Sequence, residues 1–186
     1  MGLFEFIMVM LSIIVGLGIA ELLTGVASTL QNRHTVKVYW VHTLLTAAIF
    51  LALVQQFWEA WGLRHVDEWT FGALLQMLAS PICLYLCARL LFPDPIKGGD
   101  LEVHYYDTMR PVWILLGIAN IVSTTFRTLA FDVPLLVADN LTSLIILIAV
   151  AALWITQNRT VHACVVCLAL ILVIGDIVMW TGAIAS

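Results

Sequence analysis

The chain has 186 residues, 62% of them hydrophobic and only 11% charged, with a net charge of -4. Soluble domains carry about 25% charged residues, so this composition excludes an ordinary water-solvated fold and makes the bilayer the solvent. No basic stripe points to nucleic acid or an anionic surface, and no Walker loop, nucleotide glycine motif, His-Glu-x-x-His or serine nucleophile elbow occurs.

Six apolar stretches, at 3–30, 37–63, 69–92, 110–131, 134–156 and 160–185, cover nearly all of the chain. A membrane-crossing helix needs about 20 apolar residues, and each stretch is long enough. The expectation is an all-α, polytopic helical membrane protein with six transmembrane helices, residues 1–186 forming a single integral membrane domain.

The first stretch follows Met1-Gly2-Leu3-Phe4-Glu5-Phe6, without the basic n-region of a signal peptide and with Phe6 where myristoylation wants Ser or Thr. It is therefore expected to be retained. Ser12, Gly16, Ala20, Thr24 and Ser28 recur every fourth residue, placing five small side chains on one helix face. Lipid supplies no hydrophobic drive between helices, so such a face serves close backbone approach. Its partner is a second copy of the chain or another span of the same one, and the face is not expected toward lipid. Glu21 sits one position from this stripe. A carboxylate inside a span faces the bundle interior or a wet cavity, as an ion-binding group or as a protonated or salt-bridged packing element.

The second span carries His42 near its start and Glu59 near its end. The third carries Cys83 and Cys87 on one face and stops at Phe92-Pro93-Asp94-Pro95, where proline cannot continue a helix. Asp100 is expected to cap a short interfacial helix running to about Arg110, with Tyr105 and Tyr106 at headgroup level.

In the fourth span, Leu116-Gly117-Ile118-Ala119-Asn120 resembles Leu17-Gly18-Ile19-Ala20-Glu21 of the first. This match raises a possible 3+3 inverted repeat of the transporter kind, and with it Asn120 as a counterpart of Glu21. Arg127 lies near the end of this span, Asp139 with Asn140 near the start of the fifth, and Asp176 within the sixth. Glu59, Arg127, Asp139 and Asp176 fall at comparable depth, as an ion-pair network or the mouth of a cation pathway, with Arg127 and Asp176 as the candidate pair. The alternative is a set of interfacial residues reaching water.

His162, Cys164 and Cys167 begin the sixth span. Together with His42, Cys83 and Cys87 they form weak candidates for a soft metal or, through the two histidines, for haem. Cysteine is also an ordinary small apolar residue of buried helices, and the expectation is structural cysteines with no cofactor.

Orientation follows from the basic residues. Odd-numbered loops hold Arg33, Lys37, Arg89, Lys97, Arg110 and Arg159, whereas the rest of the chain holds only Arg64 and Arg127. Six against two puts the odd loops in the cytoplasm and both termini outside it, in a membrane of the bacterial inner-membrane type. Trp40, Trp113 and Trp154 then fall near the inner surface and Trp58, Trp61, Trp69 and Trp180 near the outer one. The functional expectation is a non-enzymatic, homo-oligomeric transporter or channel-like protein that handles protons or a small cation, with lipid as its surroundings and no nucleic-acid partner. The alternatives are a structural, assembly or sensing subunit without transport, and a haem- or metal-binding redox protein.

Overall fold

A computed structural model describes residues 2–65, 69–94, 99–131 and 138–184, the side chains of 65, 127, 129–131, 138–142 and 179–184 excepted. Six α-helices follow in chain order: α1 Leu3–Gln31, α2 Trp40–Ala60, α3 Phe71–Leu91, α4 Leu101–Phe131, α5 Ala138–Ile155 and α6 Arg159–Ile184, with a 3-10 turn, Trp61–His65, continuing α2. Five of them are long and apolar enough to cross a membrane, and the described part of α5, Ser143–Ile155, is a shorter apolar helix. The chain is an all-α integral membrane protein. A helix satisfies every interior backbone N–H and C=O within itself, which is what a segment surrounded by hydrocarbon requires.

The helices form a closed ring. α2 packs on α3, α3 on α4, α4 on α5, α5 on α6, and α6 returns to α2; α1 lies outside, in the groove between α2 and α3. One face of α1 enters this groove through Ile7, Leu11, Val15, Gly18, Leu22 and Gly25. Two of these positions admit no larger residue without movement. A Cβ at Gly18 would lie 3.0 Å from a Leu53 methyl, and one at Gly25 would lie 2.2 Å from the Phe92 ring. The outward faces carry Leu3, Ile13, Leu144, Ile148, Ile171 and Val178, exposed as lipid-facing side chains are.

The connections with odd numbers meet at one end of the bundle. Lys37 pairs with Asp100 in a short parallel bridge, its N–H donating to Gly99 O at 3.0 Å and its carbonyl accepting from Leu101 N at 3.0 Å. Arg159 reaches Glu102 at 3.1 Å, which brings the α5–α6 turn to the same end. This is the basic end of the molecule.

Two expectations are corrected here. The chain forms no short interfacial helix ending at Arg110. Asp100 does cap, its Oδ1 accepting from Glu102 N at 2.9 Å, but α4 then runs unbroken for 31 residues with Pro111 inside it. The reason is a continuous apolar stripe: Leu101, Tyr105, Met109, Val112 and Trp113 are all buried on one side, while Pro111 is on the exposed side. Tyr105 and Trp113 are therefore packed against other helices and do not face lipid. The inverted repeat also has no counterpart in the packing. α1 runs along α3, whereas among the described residues α4 and α6 are joined chiefly through α5. Within the matching pentapeptides Gly18 and Gly117 are both buried, whereas Ala20 is exposed and Ala119 is buried.

Candidate functional site

Between the helices of the ring lies a partly open cavity of about 210 Å³, lined from all five of them. It extends along α2 from Leu45 to Glu59, about 21 Å at 1.5 Å per residue, starting five residues in from the basic end of α2 and reaching its opposite end. A smaller cavity of about 60 Å³ adjoins it and shares Gln56, Glu59, Ser80 and Ser123.

Each helix contributes polar groups to an otherwise hydrocarbon lining. On α2, Gln55 and Glu59 are one turn apart and the Gln55 amide Nε2 donates to Glu59 Oε1 at 2.9 Å. The same nitrogen donates across the cavity to Asp176 Oδ2 of α6. Gln56 Nε2 donates to the Ser80 hydroxyl of α3 at 2.7 Å and to the Ser123 hydroxyl of α4 at 3.2 Å, and Ser123 donates to Ser80 at 3.0 Å. Thr124 of α4 donates to Ser143 of α5 at 2.9 Å. Asn120, Ser123 and Thr124 share a face of α4 because three- and four-residue steps return a helix to the same side. Two amide oxygens of the lining, Gln56 Oε1 and Asn120 Oδ1, are buried and find no hydrogen-bond partner among the described residues. Buried carbonyl groups are ordinarily paired, so these two mark unused acceptor capacity.

Of the residues expected in an ion pathway, Glu59, Asn120 and Asp176 line this cavity together. The side chains of Arg127, Asp139 and Asn140, and that of Trp180, fall outside the described residues. Glu21 is elsewhere. It lies on α1, off the cavity, with its carboxylate 3.3 Å from the Arg89 guanidinium of α3, which also holds Asp94 at 2.7 Å. That position matches a salt-bridged glutamate tying two helices and not a group of the cavity. The small-residue stripe also differs from the intrachain alternative: Ser12, Gly16, Ala20 and Thr24 are exposed, and a Cβ at Gly16 would meet nothing within 4 Å.

The cysteines and histidines do not converge. Cys83 and Cys87 are buried on α3, whose neighbours are α1, α2 and α4, while Cys164 and Cys167 are on α6 between α2 and α5. Cys87 spends its thiol on Val112 O at 3.6 Å. Among the described residues, no three His, Cys, Asp or Glu side chains are grouped to hold a metal ion. His42 Nε2–H donates to Leu91 O at 2.8 Å, and the ring lies edge-on to Phe92. His162 uses both nitrogens, Nε2–H donating to Thr156 O at 3.0 Å and Nδ1 accepting from the Tyr105 hydroxyl at 3.0 Å.

His162 belongs instead to an aromatic plug at the basic end. Tyr39, Tyr105, Tyr106 and His162 meet edge to face with ring centroids 5.1 to 5.6 Å apart in the pairs Tyr39–Tyr105, Tyr105–Tyr106, Tyr105–His162 and Tyr106–His162. The Tyr39 and Tyr106 hydroxyls are 3.3 Å apart. Burial, and then the Tyr106 hydrogen bond, push the Tyr39 phenol above its ordinary range. Trp113, which lines the cavity, and Met109, one helical turn nearer the basic end, are both buried.

Sequence reasoning weighted the ionisable residues and missed Gln55, Gln56, Ser80, Ser123, Thr124 and Ser143. The available signal was polar residues recurring at helical spacing inside apolar spans: Gln55, Gln56 and Glu59 in one, Asn120, Ser123 and Thr124 in another. No family model matches the chain, and no curated protein or solved structure is significantly similar to it.

Proposed function

We propose that this chain is a small membrane transporter or channel-like protein that takes a proton or small cation into the cavity of its helix ring. The observation that carries the reading is the pair Glu59 and Asp176, two carboxylates from α2 and α6 that meet on a single amide nitrogen inside an apolar ring. A charged side chain at the centre of a membrane helix costs about 2.5–3.5 kcal/mol on insertion scales, so such groups persist where water or a ligand reaches them. Asp176 lies eight residues before the end of α6, about 12 Å from it. In this reading the basic end faces the cytoplasm, both termini face away from it, and the exposed small-residue face of α1 receives a second copy. The aromatic plug keeps the cavity shut on the basic side.

A second reading, that of a structural or assembly subunit, is favoured by the Gln56–Ser80–Ser123 triad. This closed set of hydrogen bonds ties α2, α3 and α4 together without any ligand. Flux into proteoliposomes separates the two. Wild-type protein is expected to carry protons or monovalent cations, and Asp176→Asn, of the same shape but without charge, is expected to lose at least about tenfold of that flux, as a lost charged hydrogen bond implies. Undiminished flux in a well-folded Asp176→Asn protein contradicts the cavity route, and no flux in the wild type favours the structural reading.

A further inference from the structure

We propose that the ligand of this cavity is a small primary ammonium ion, whose nitrogen takes the position between Glu59 and Asp176 that the Gln55 amide nitrogen holds. The inference rests on the cation reading above and names its substrate class.

An ionised carboxylate only accepts hydrogen bonds, so a group that bridges two of them must donate to both. Gln55 Nε2 does so, reaching Glu59 Oε1 at 2.9 Å and Asp176 Oδ2 on the other side. The two carboxylates are therefore spaced to hold one donor nitrogen. A neutral amide supplies the protons but no charge. An alkylammonium offers three donors and a positive charge at the same kind of nitrogen, and charge-assisted hydrogen bonds are about twice as strong as neutral ones. Gln55 stands in for the ligand and swings aside on its flexible stem when the ligand enters.

The rest of the lining selects among cations. A proton needs no room, yet the cavity measures about 210 Å³, space for several waters or a ligand of a handful of heavy atoms. A calcium ion wants six or more oxygen ligands, and the described residues group no three His, Cys, Asp or Glu side chains to supply them. An anion meets two carboxylates. Beside those carboxylates the walls are hydrocarbon, from Ile49, Leu84, Leu116 and Val173, which suits an alkyl tail and leaves a hydrated inorganic ion unsatisfied. The unpaired amide oxygens of Gln56 and Asn120 offer further acceptors to the same ligand.

The test is calorimetric titration of the full chain in nanodiscs at pH 7 with n-butylammonium, and with n-butanol as a probe of similar shape and no charge. The expected result is saturable binding of butylammonium at least about tenfold tighter than that of butanol. Asp176→Asn is expected to weaken butylammonium binding by a similar factor. Gln55→Ala, which removes the competing amide, is expected to bind at least as tightly as the wild type. Equal binding of butanol and butylammonium by the wild type overturns the assignment without reliance on any variant. So does undiminished binding by Asp176→Asn, or loss of binding in a folded Gln55→Ala protein. Proton or sodium flux without butylammonium binding overturns the ammonium class and leaves the cation reading in place, whereas absence of both binding and flux overturns the two together.

Discussion

At the scale of single residues, the ionisable side chains divide by what they face. Glu21 faces Arg89 in a pair whose side chains retain 31% and 50% of their exposure. Such half-exposed pairs contribute about 0–1 kcal/mol. Glu21→Gln is therefore expected to shift thermal stability little and to leave flux and butylammonium binding unchanged. A loss of flux in a folded Glu21→Gln protein would return this residue to the pathway. Asp176 has a different environment, since it accepts from the neutral Gln55 amide and, among the described residues, no basic side chain lies within salt-bridge range. The sequence shows that both residues are carboxylates inside apolar stretches, but not which carboxylate has an arginine within reach. That depends on α1 packing against α3, a contact between residues far apart in the chain. The amides of Gln55 and Gln56 carry no formal charge, and an argument built on charge passes over them even though they organise the site.

At the scale of elements, helix faces decide the outcome. α1 buries the stripe running through Gly18 and Gly25 and leaves the stripe through Gly16 and Ala20 uncovered. Both stripes contain small residues, and the spacing of those residues alone does not rank them. The larger apolar residues Ile7, Leu11, Val15 and Leu22 settle the choice by filling the groove between α2 and α3. Gly25→Ala is expected to displace the Phe92 ring, and with it the edge contact to His42, at a cost of about 1–3 kcal/mol as for other overpacked sites. Gly16→Leu is expected to leave the unfolding of the single chain unchanged and to reduce the size of any homo-oligomer. Thermal unfolding in detergent and size-exclusion light scattering measure the two effects separately. A destabilised monomer in Gly16→Leu would contradict the packing described for α1. In α4, the expected short helix from Asp100 to about Arg110 is instead the first part of a longer one. The buried row from Leu101 to Trp113 shows why the helix continues: packing on the inner side outweighs one missing backbone hydrogen bond on the outer side.

At the scale of the whole molecule, the all-helical membrane architecture and the number of helices were legible because hydrocarbon allows few alternatives to a long apolar helix. The order of helices around the ring was not, since it depends on which outward faces match. The same-end grouping of the odd loops agrees with the distribution of Arg and Lys and is realised by the Lys37–Asp100 bridge and the Arg159–Glu102 pair. With that end in the cytoplasm, a reporter active only in the cytoplasm is expected to be silent when fused after Ser186 and active when inserted at Asn158. The reverse pattern would invert the molecule and put the mouth of the cavity on the cytoplasmic side.

The account turns on whether water enters the ring between α2 and α6 from the end opposite the basic loops. The direct measurement replaces the four native cysteines and introduces single cysteines at Ala52, which lines the cavity, and at Ala20, on the outer face of α1. A charged, membrane-impermeant thiol reagent is then applied to reconstituted protein from the Glu59 end. The account predicts rapid labelling of Ala52→Cys, slowed by n-butylammonium, and little labelling of Ala20→Cys. An Ala52→Cys protein that folds normally and stays unlabelled would contradict the cavity as a route for any ion.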